Sequence, residues 1–133
     1  MADTTAFELV SPERLLASKD VAMVIVPGAE GNIGVLPRHA PLITTVRPGV
    51  IEVFESRGGE GERIFVAGGF AEVTPERCTI LAEEAVPVVD IDRAKAEQAL
   101  KDAREDLEDA KTDAERNAAE ARIRVAQARV EAL

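Results

Sequence analysis

The sequence predicts a β + α fold: an N-terminal antiparallel β-sandwich followed by a C-terminal antiparallel hairpin of two helices. Three observations carry that expectation. Turn-forming residues punctuate the chain densely up to residue 87. The runs between them are short, rich in β-branched residues and free of a helical period. Residues 91–133 then contain neither Gly nor Pro and are dominated by Ala, Glu, Asp, Arg and Lys. The division falls into 1–87, a sandwich domain, and 88–133, a helical domain.

The expected strands, in order, are "AFELV", "VAMVIV", "NIGVL", "LITTV", "VIEVFE", "RIFVA", "FAEV" and "CTILA". They lie between Ser11-Pro12, Pro27-Gly28, Pro48-Gly49, Gly58-Gly59, Gly68-Gly69 and Thr74-Pro75. In "VIEVFE", Val50, Glu52 and Phe54 point to one face and Ile51, Val53 and Glu55 to the other. Eight or nine short strands at this spacing suit an antiparallel sandwich or flattened barrel. The pairing order does not follow from the pattern.

The first helix places Ala96, Leu100, Ala103, Leu107 and Ala110 on one face, with Asp90 or Asp92 able to cap it. Thr112 and Glu115 form a capping box that starts the second. Its expected stripe is Ala114, Ala118, Ala121, Val125, Ala128 and Ala132. So short a break folds the two into an antiparallel hairpin. Alanine stripes bury little area, at roughly 25 cal/mol per Å². The first helix also ends on Asp106, Glu108 and Asp109, where the macrodipole prefers cations. A hairpin held this weakly suits a detachable part and a plain solvated appendage equally.

Composition narrows the function. The net charge of −9 opposes binding to nucleic acid or anionic lipid. The chain has four Phe but no Tyr or Trp, too few aromatics for a base-stacking platform. A single cysteine, Cys78, excludes an internal disulfide and a cysteine-built zinc site, and fits a reducing compartment. No run approaches the roughly 18 apolar residues of a membrane span. The opening "MADTTAFELV" does not read as a targeting segment.

Chemistry is scarce. His39 is the only histidine, and its sequence neighbours offer no carboxylate or second ligand for a triad or metal site. Between Pro37 and Pro41 it reads as a rigid loop residue. "GAEGNIG" spaces its glycines as G-x-x-G-x-x-G, neither a dinucleotide fingerprint nor a phosphate loop, and no helix follows. Cys78 reads as core. Arg122, Arg124 and Arg129 form the one basic concentration on an acidic chain. No nucleophile–base pair, metal cluster or acid/base carboxylate pair emerges, so the expectation is a protein with no catalytic residues.

The stretches "GNIGVLPRHAPLITTVRPG", "FVAGGFAEVTPERCTILAEEA" and "DIDRAKA", with the Ala- and charge-rich tail, resemble the epsilon-subunit family of bacterial F-type ATP synthases. The Gly34–Leu42 block is the most specific part, and the resemblance covers nearly the whole sequence. It implies a sandwich of about ten strands, a two-helix hairpin and a non-catalytic rotor subunit. The implied partners are the gamma shaft, the polar loops of the membrane c-ring and, with the hairpin extended, the catalytic alpha/beta head. It implies a rotor interface at Gly31, Asn32, Gly34, Pro37, Arg38, His39, Ala40, Pro41 and Leu42. It also implies inhibitory contacts from Arg122, Arg124 and Arg129 to acidic loops of the head, opposing ATP hydrolysis. The implied location is peripheral, on the cytoplasmic face of the bacterial inner membrane, with membrane contact only through the complex.

Family members that bind ATP on the hairpin carry I-D-x-x-R-A. This chain has Ile91, Asp92, Lys95 and Ala96 at those positions, with lysine where the motif has arginine. Lysine keeps the charge and loses the planar fork that grips phosphate, and Asp102 and Asp106 farther along would repel a triphosphate. The expectation is therefore no required cofactor and weak ATP binding. A reading of another class is a free-standing sandwich module that dimerises through its helices.

Overall fold

The strands expected between the turn formers are present, and two others lie among them. A computed structural model describes residues 3–133. It contains β1 (Thr5–Val10), β2 (Leu15–Val21), β3 (Met23–Gly28), β4 (Gly31–Val35), β5 (Leu42–Val46), β6 (Gly49–Phe54), β7 (Glu62–Val66), β8 (Gly69–Val73), β9 (Arg77–Ala82) and β10 (Ala85–Pro87). A turn of 3-10 helix at Val88–Asp90 leads into α1 (Arg93–Asp109) and α2 (Asp113–Glu131). The additions are β2 and β10. β2, "LLASKDV", mixes apolar and polar residues without strict alternation because it is an edge strand paired only with β1. β10 is three residues long and ends on Pro87, a residue suited to a sheet edge.

The strand order is β10-β7-β6-β3-β5-β8-β9-β1-β2, with β4 on β3. β3 pairs with β6 through Met23–Ile25 and then with β5 at Gly28 alone, opposite Val46. That single pair marks the corner at which the curled sheet folds into two layers. All ladders are antiparallel except β1 with β9, which run parallel with Phe7 opposite Cys78 and Leu9 opposite Ile80. The whole domain separates these two strands in sequence, long enough for a parallel pairing. Between the layers lies one core that includes Phe7, Leu9, Val24, Val26, Ile51, Val53, Ile64, Val66, Cys78 and Ile80. Burial pushes the Cys78 thiol up to about 12, so it sits there as a small apolar group. Gly69 opens β8 at φ +148°, where an added Cβ would collide with the Leu81 carbonyl oxygen. No other residue fits there.

Both helices begin as their caps dictate. Asp92 Oδ1 accepts from the Lys95 N–H at 3.1 Å, and Thr112 Oγ1 accepts from the Glu115 N–H at 3.1 Å. Glu115 reaches back to the Lys111 N–H at 3.3 Å, one residue earlier than the simplest capping box. On α1 the buried face is the expected one, with Ala96, Leu100 and Ala103. On α2 the expected stripe holds in its C-terminal half, where Ala132 is buried and Val125 and Ala128 are half-buried, and fails in its N-terminal half, where Ala114, Ala118 and Ala121 are exposed. Ala119 and Ala126 are also buried, with Ile123 and Val130 half-buried on the same side. Turning inward the stripe with Ile123 and Val130 removes more apolar area from water than Ala114, Ala118 and Ala121 would.

The hairpin lies against one outer face of the sandwich. Phe65 on β7 points away from the main core, between Ile64 and Val66, yet is fully buried. Register places it between Val50 of β6 and Val86 of β10.

Candidate functional site

Two surfaces and one cleft draw together the residues of interest. The first surface is the edge formed by β4, the loop after it and the start of β5. Gly31 opens β4 at φ +143° with nothing within 4 Å of an added Cβ, so glycine is required by backbone conformation and not by space. Asn32 and Gly34 follow on β4, exposed. Ala29, Glu30, Gly31, Asn32 and Ile33 face Leu42–Thr45 across a shallow groove. Leu42 itself packs against the core. The outward apolar residues at this edge are its neighbour Ile43, 74 % exposed, and Leu36 in the loop, 45 % exposed; the sequence pattern singles out neither.

The loop is a tight turn. The His39 N–H donates to the Leu36 carbonyl at 3.2 Å, Pro37 occupies the second position and Arg38 the third at φ +66°. Proline presets the second position and a positive φ at the third gives the type II form, which favours glycine. Arginine there carries roughly 1 kcal/mol of strain. The Arg38 N–H compensates by donating to the Pro75 carbonyl at 2.8 Å, pinning the turn to the β8–β9 connection. Pro37 and Arg38 thus line a hollow with Asp20, Pro75 and Glu76, apart from the Gly31–Asn32 groove. His39 is half-buried with Nδ1 2.7 Å from the Ala40 carbonyl oxygen. That contact uses its ring locally, and among the described residues no carboxylate is bonded to it for proton transfer. Ala40 and Pro41 are exposed.

The second surface is not apparent from the sequence. Phe70 pairs with Leu81, and Leu81 with Val10, so the three make a continuous row on the outer face of β8, β9 and β1. Phe70 is 55 % exposed and Leu81 51 %. Pro12 and Ser11 close one end. The available signal was alternation: Phe70 shares its face with Glu72, and Leu81 shares its face with Thr79.

The cleft, of about 550 Å³, lies between the hairpin and the β7–β10 side of the sandwich. Four carboxylates line it, Glu83, Glu84, Asp102 and Asp106, against two guanidiniums, Arg122 and Arg129. Both guanidiniums are already partnered. Arg122 Nη2 lies 3.4 Å from Asp106, and Arg129 Nη2 2.8 Å from Glu84 with its guanidinium 5.0 Å from the Phe65 ring centre. Arg124 is exposed on another side of α2, so the structure does not gather the three arginines into one patch. At the hairpin's start, Ile91 is half-buried, the Asp92 carboxylate is spent as a cap, the Lys95 side chain is exposed and Ala96 is buried. Among the described residues no group of three or more His, Cys, Asp or Glu could hold a metal ion, and no helix is long and apolar enough to cross a membrane.

Comparison with known proteins follows this architecture. Residues 4–88 match the β-sandwich domain family of the ATP synthase delta/epsilon subunit, and residues 92–133 match the C-terminal domain family of the ATP synthase epsilon subunit. The ATP synthase epsilon chain of Rhodospirillum centenum is 58 % identical over 110 residues, which span 80 % of the present sequence and 75 % of that protein. That of Rhodospirillum rubrum is 56 % identical over 103 residues, 77 % and 76 % of the two sequences. Among solved structures, a subunit of the Euglena gracilis mitochondrial ATP synthase OSCP/F1/c-ring assembly aligns with a TM-score of 0.83 at 28 % identity, spanning 96 % of the present sequence and 80 % of that subunit. A subunit of the Tetrahymena thermophila mitochondrial ATP synthase central stalk and c-ring shares the fold, with a TM-score of 0.64 at 18 % identity over 95 % and 96 %. With a sandwich and a hairpin each matched in order and relatives more than half identical over most of both lengths, the protein belongs to the ATP synthase epsilon subunit family.

Proposed function

We propose that this non-catalytic stalk subunit of ATP synthase turns with the rotor, joining the gamma shaft to the polar loops of the c-ring, and that its hairpin restrains ATP hydrolysis. The observation that carries the rotor reading is the Phe70–Leu81–Val10 row. A lone exposed apolar residue needs no explanation, but two large ones paired across strands mark a surface that another protein covers. The hairpin covers the Phe65 face of the other layer and leaves this row open, with the exposed Ile43 opposite Glu72 on the same outer face. The Gly31–Leu42 edge supports the same reading: its turns are preset by Pro37 and by the Arg38–Pro75 hydrogen bond, so little chain entropy is lost on docking.

The test is co-purification of the tagged protein with gamma. Phe70→Glu combined with Leu81→Glu removes the row while leaving the inner core untouched. We expect the double variant to fold and to lose gamma from the pull-down. A double variant that retains gamma as the native protein does refutes the assignment of this face.

The braking role rests on Arg122, Arg124 and Arg129: Arg124 is exposed in the docked hairpin, Arg129 is released from Glu84 when the hairpin leaves the sandwich, and Arg122 is released from Asp106 when the two helices part. ATP binds weakly in this reading. The cleft is dominated by carboxylates, its two guanidiniums are engaged, and Lys95 lacks a bidentate fork. The protein requires no cofactor and sits on the cytoplasmic face of the bacterial inner membrane, peripheral and held there by its partners.

A further inference from the structure

Arg47, in the connection between β5 and β6, holds the tip of the β3–β4 hairpin at three points. Its backbone N–H donates to the Pro27 carbonyl at 2.9 Å. Its Nη1 donates to the Gly28 carbonyl, and its Nη2 to Asn32 Oδ1 at 2.7 Å. A neighbouring bond from the Ala29 N–H to the Thr45 carbonyl, at 3.1 Å, ties the same tip to β5.

The third contact has a chemical consequence. A guanidinium has five N–H donors and no acceptor, so the carboxamide atom facing it must be the oxygen. The amide is therefore not free to present either end, the usual ambiguity for asparagine. With Oδ1 turned to Arg47, the NH2 group of the exposed Asn32 faces outward, and it has no hydrogen-bond partner among the described residues. Fork geometry matters as well, because one planar group serves Gly28 and Asn32 at once, which a lysine ammonium cannot match.

We infer that Arg47 is a positioning residue that fixes the Asn32 carboxamide donor-outward, so that the hairpin tip docks onto a backbone carbonyl oxygen on the rotor, the exposed Glu30 of the same groove opposing a carboxylate there. This rests on reading the Gly31–Leu42 edge as rotor-facing. It adds the polarity of the contact and the residue that sets it.

The experiment is rebinding of the full-length protein to ATP synthase stripped of its epsilon subunit, with the thermal midpoint of each free variant recorded alongside. Asn32→Asp keeps the bond to Arg47, strengthened by charge, and replaces the outward donor with an acceptor. Its midpoint should hold or rise while its affinity falls by about tenfold or more, the scale of one hydrogen bond between proteins. A residue needed only for folding would not separate the two readouts. Asn32→Ala and Arg47→Gln should each weaken rebinding about five- to tenfold, and the double variant no further than either alone. Multiplicative losses in the double variant overturn the positioning role. Native-strength binding by Asn32→Ala or Asn32→Asp, with Ile43→Glu still weakened, overturns the inference and leaves the surface standing. If Ile43→Glu and His39→Asp also bind as the native protein does, the surface reading falls and takes the inference with it.

Discussion

Arg129 of α2 lays its guanidinium over the ring of Phe65 on β7, 5.0 Å from its centre, while its Nη2 meets Glu84 Oε1 at 2.8 Å. The arginine proposed as an inhibitory contact in the extended state is therefore a fastener in the docked one. Its Nε is buried without a hydrogen-bond partner among the described residues, so the fastening is incomplete. A cation–π contact here contributes about 1 kcal/mol. The ion pair adds at most a similar amount, since Glu84 is largely exposed. Both contacts are small beside the burial of the Phe65 ring under the hairpin, which contributes about 1.5–3 kcal/mol to docking.

Arg129→Met keeps much of the side-chain volume and removes the cation. We expect hydrogen exchange across residues 113–131 to speed by about tenfold, corresponding to about 1.4 kcal/mol of lost docking. Exchange in β1 and β9 should not change. Glu84→Gln should give a smaller effect in the same direction. Equal protection of α2 in the native protein and in Arg129→Met would show that this fastener contributes nothing.

The second prediction concerns pH. Lys19 on β2 lies 2.8 Å from Glu55 and 3.1 Å from Glu62, joining the edge strand to the ends of β6 and β7. The hydrogen bond from Lys19 holds the Glu55 carboxyl below its ordinary 4.5, and the same bond raises Lys19 above its ordinary 10.5 despite partial burial. The depressed carboxylate contributes stability that is present above pH 4.5 and lost as pH falls through its folded value. The raised lysine contributes stability that is present below pH 10.5 and lost as pH rises through its folded value. Lys19→Met should accordingly melt closer to the native protein below about pH 4 than at about pH 7. Melting curves offset equally at both pH values would show that the triad does not couple to protonation.

Thr5 supports a third. It is 1 % exposed on β1, and its hydroxyl has no partner among the described residues. An unsatisfied buried hydroxyl costs about 1–3 kcal/mol, and valine has nearly the same shape. Thr5→Val should raise the thermal midpoint by several degrees for a domain of this size. A lowered midpoint would mean that the hydroxyl is satisfied in solution.

Strand existence was legible wherever β-branched runs sat between turn formers, because that pattern reports burial on a pleated surface. β2 escaped because an edge strand needs only one partner and can carry Ser18, Lys19 and Asp20 in succession. The first half of the α2 face differs from the expected one because spacing weighs Ala114 and Ile123 alike, whereas packing follows area; Val125, Ala128 and Ala132 turn inward as expected. The Gly34–Leu42 block stood out in the sequence, but Arg47's grip on Asn32 did not, since it spans 15 residues and depends on how β5 passes β3. Phe70 and Leu81 read as ordinary strand residues until register placed them side by side on an outer face.

The last prediction follows from what the hairpin covers. Truncation after Val89 removes α1 and α2 but no residue of the core between the sheet layers. The remaining domain should therefore fold cooperatively and still join the rotor. It should also become more prone to associate, because Phe65, fully buried in the intact protein, is then open on the β6–β7 face beside Val50. Phe65→Thr in the truncated protein removes that exposed ring from a strand position that tolerates threonine, and should restore monodispersity. In the complex, truncation should raise ATP hydrolysis while leaving synthesis coupled, if α2 restrains the head. Replacing Arg122, Arg124 and Arg129 together by alanine should give part of the same rise, since helix propensity is kept and the cations are lost. The readouts separate. Unchanged hydrolysis in both complexes would remove the brake and leave the rotor role intact. A truncated protein that folds only when Phe65 is replaced would show that the hairpin shields the sandwich as well as acting apart from it.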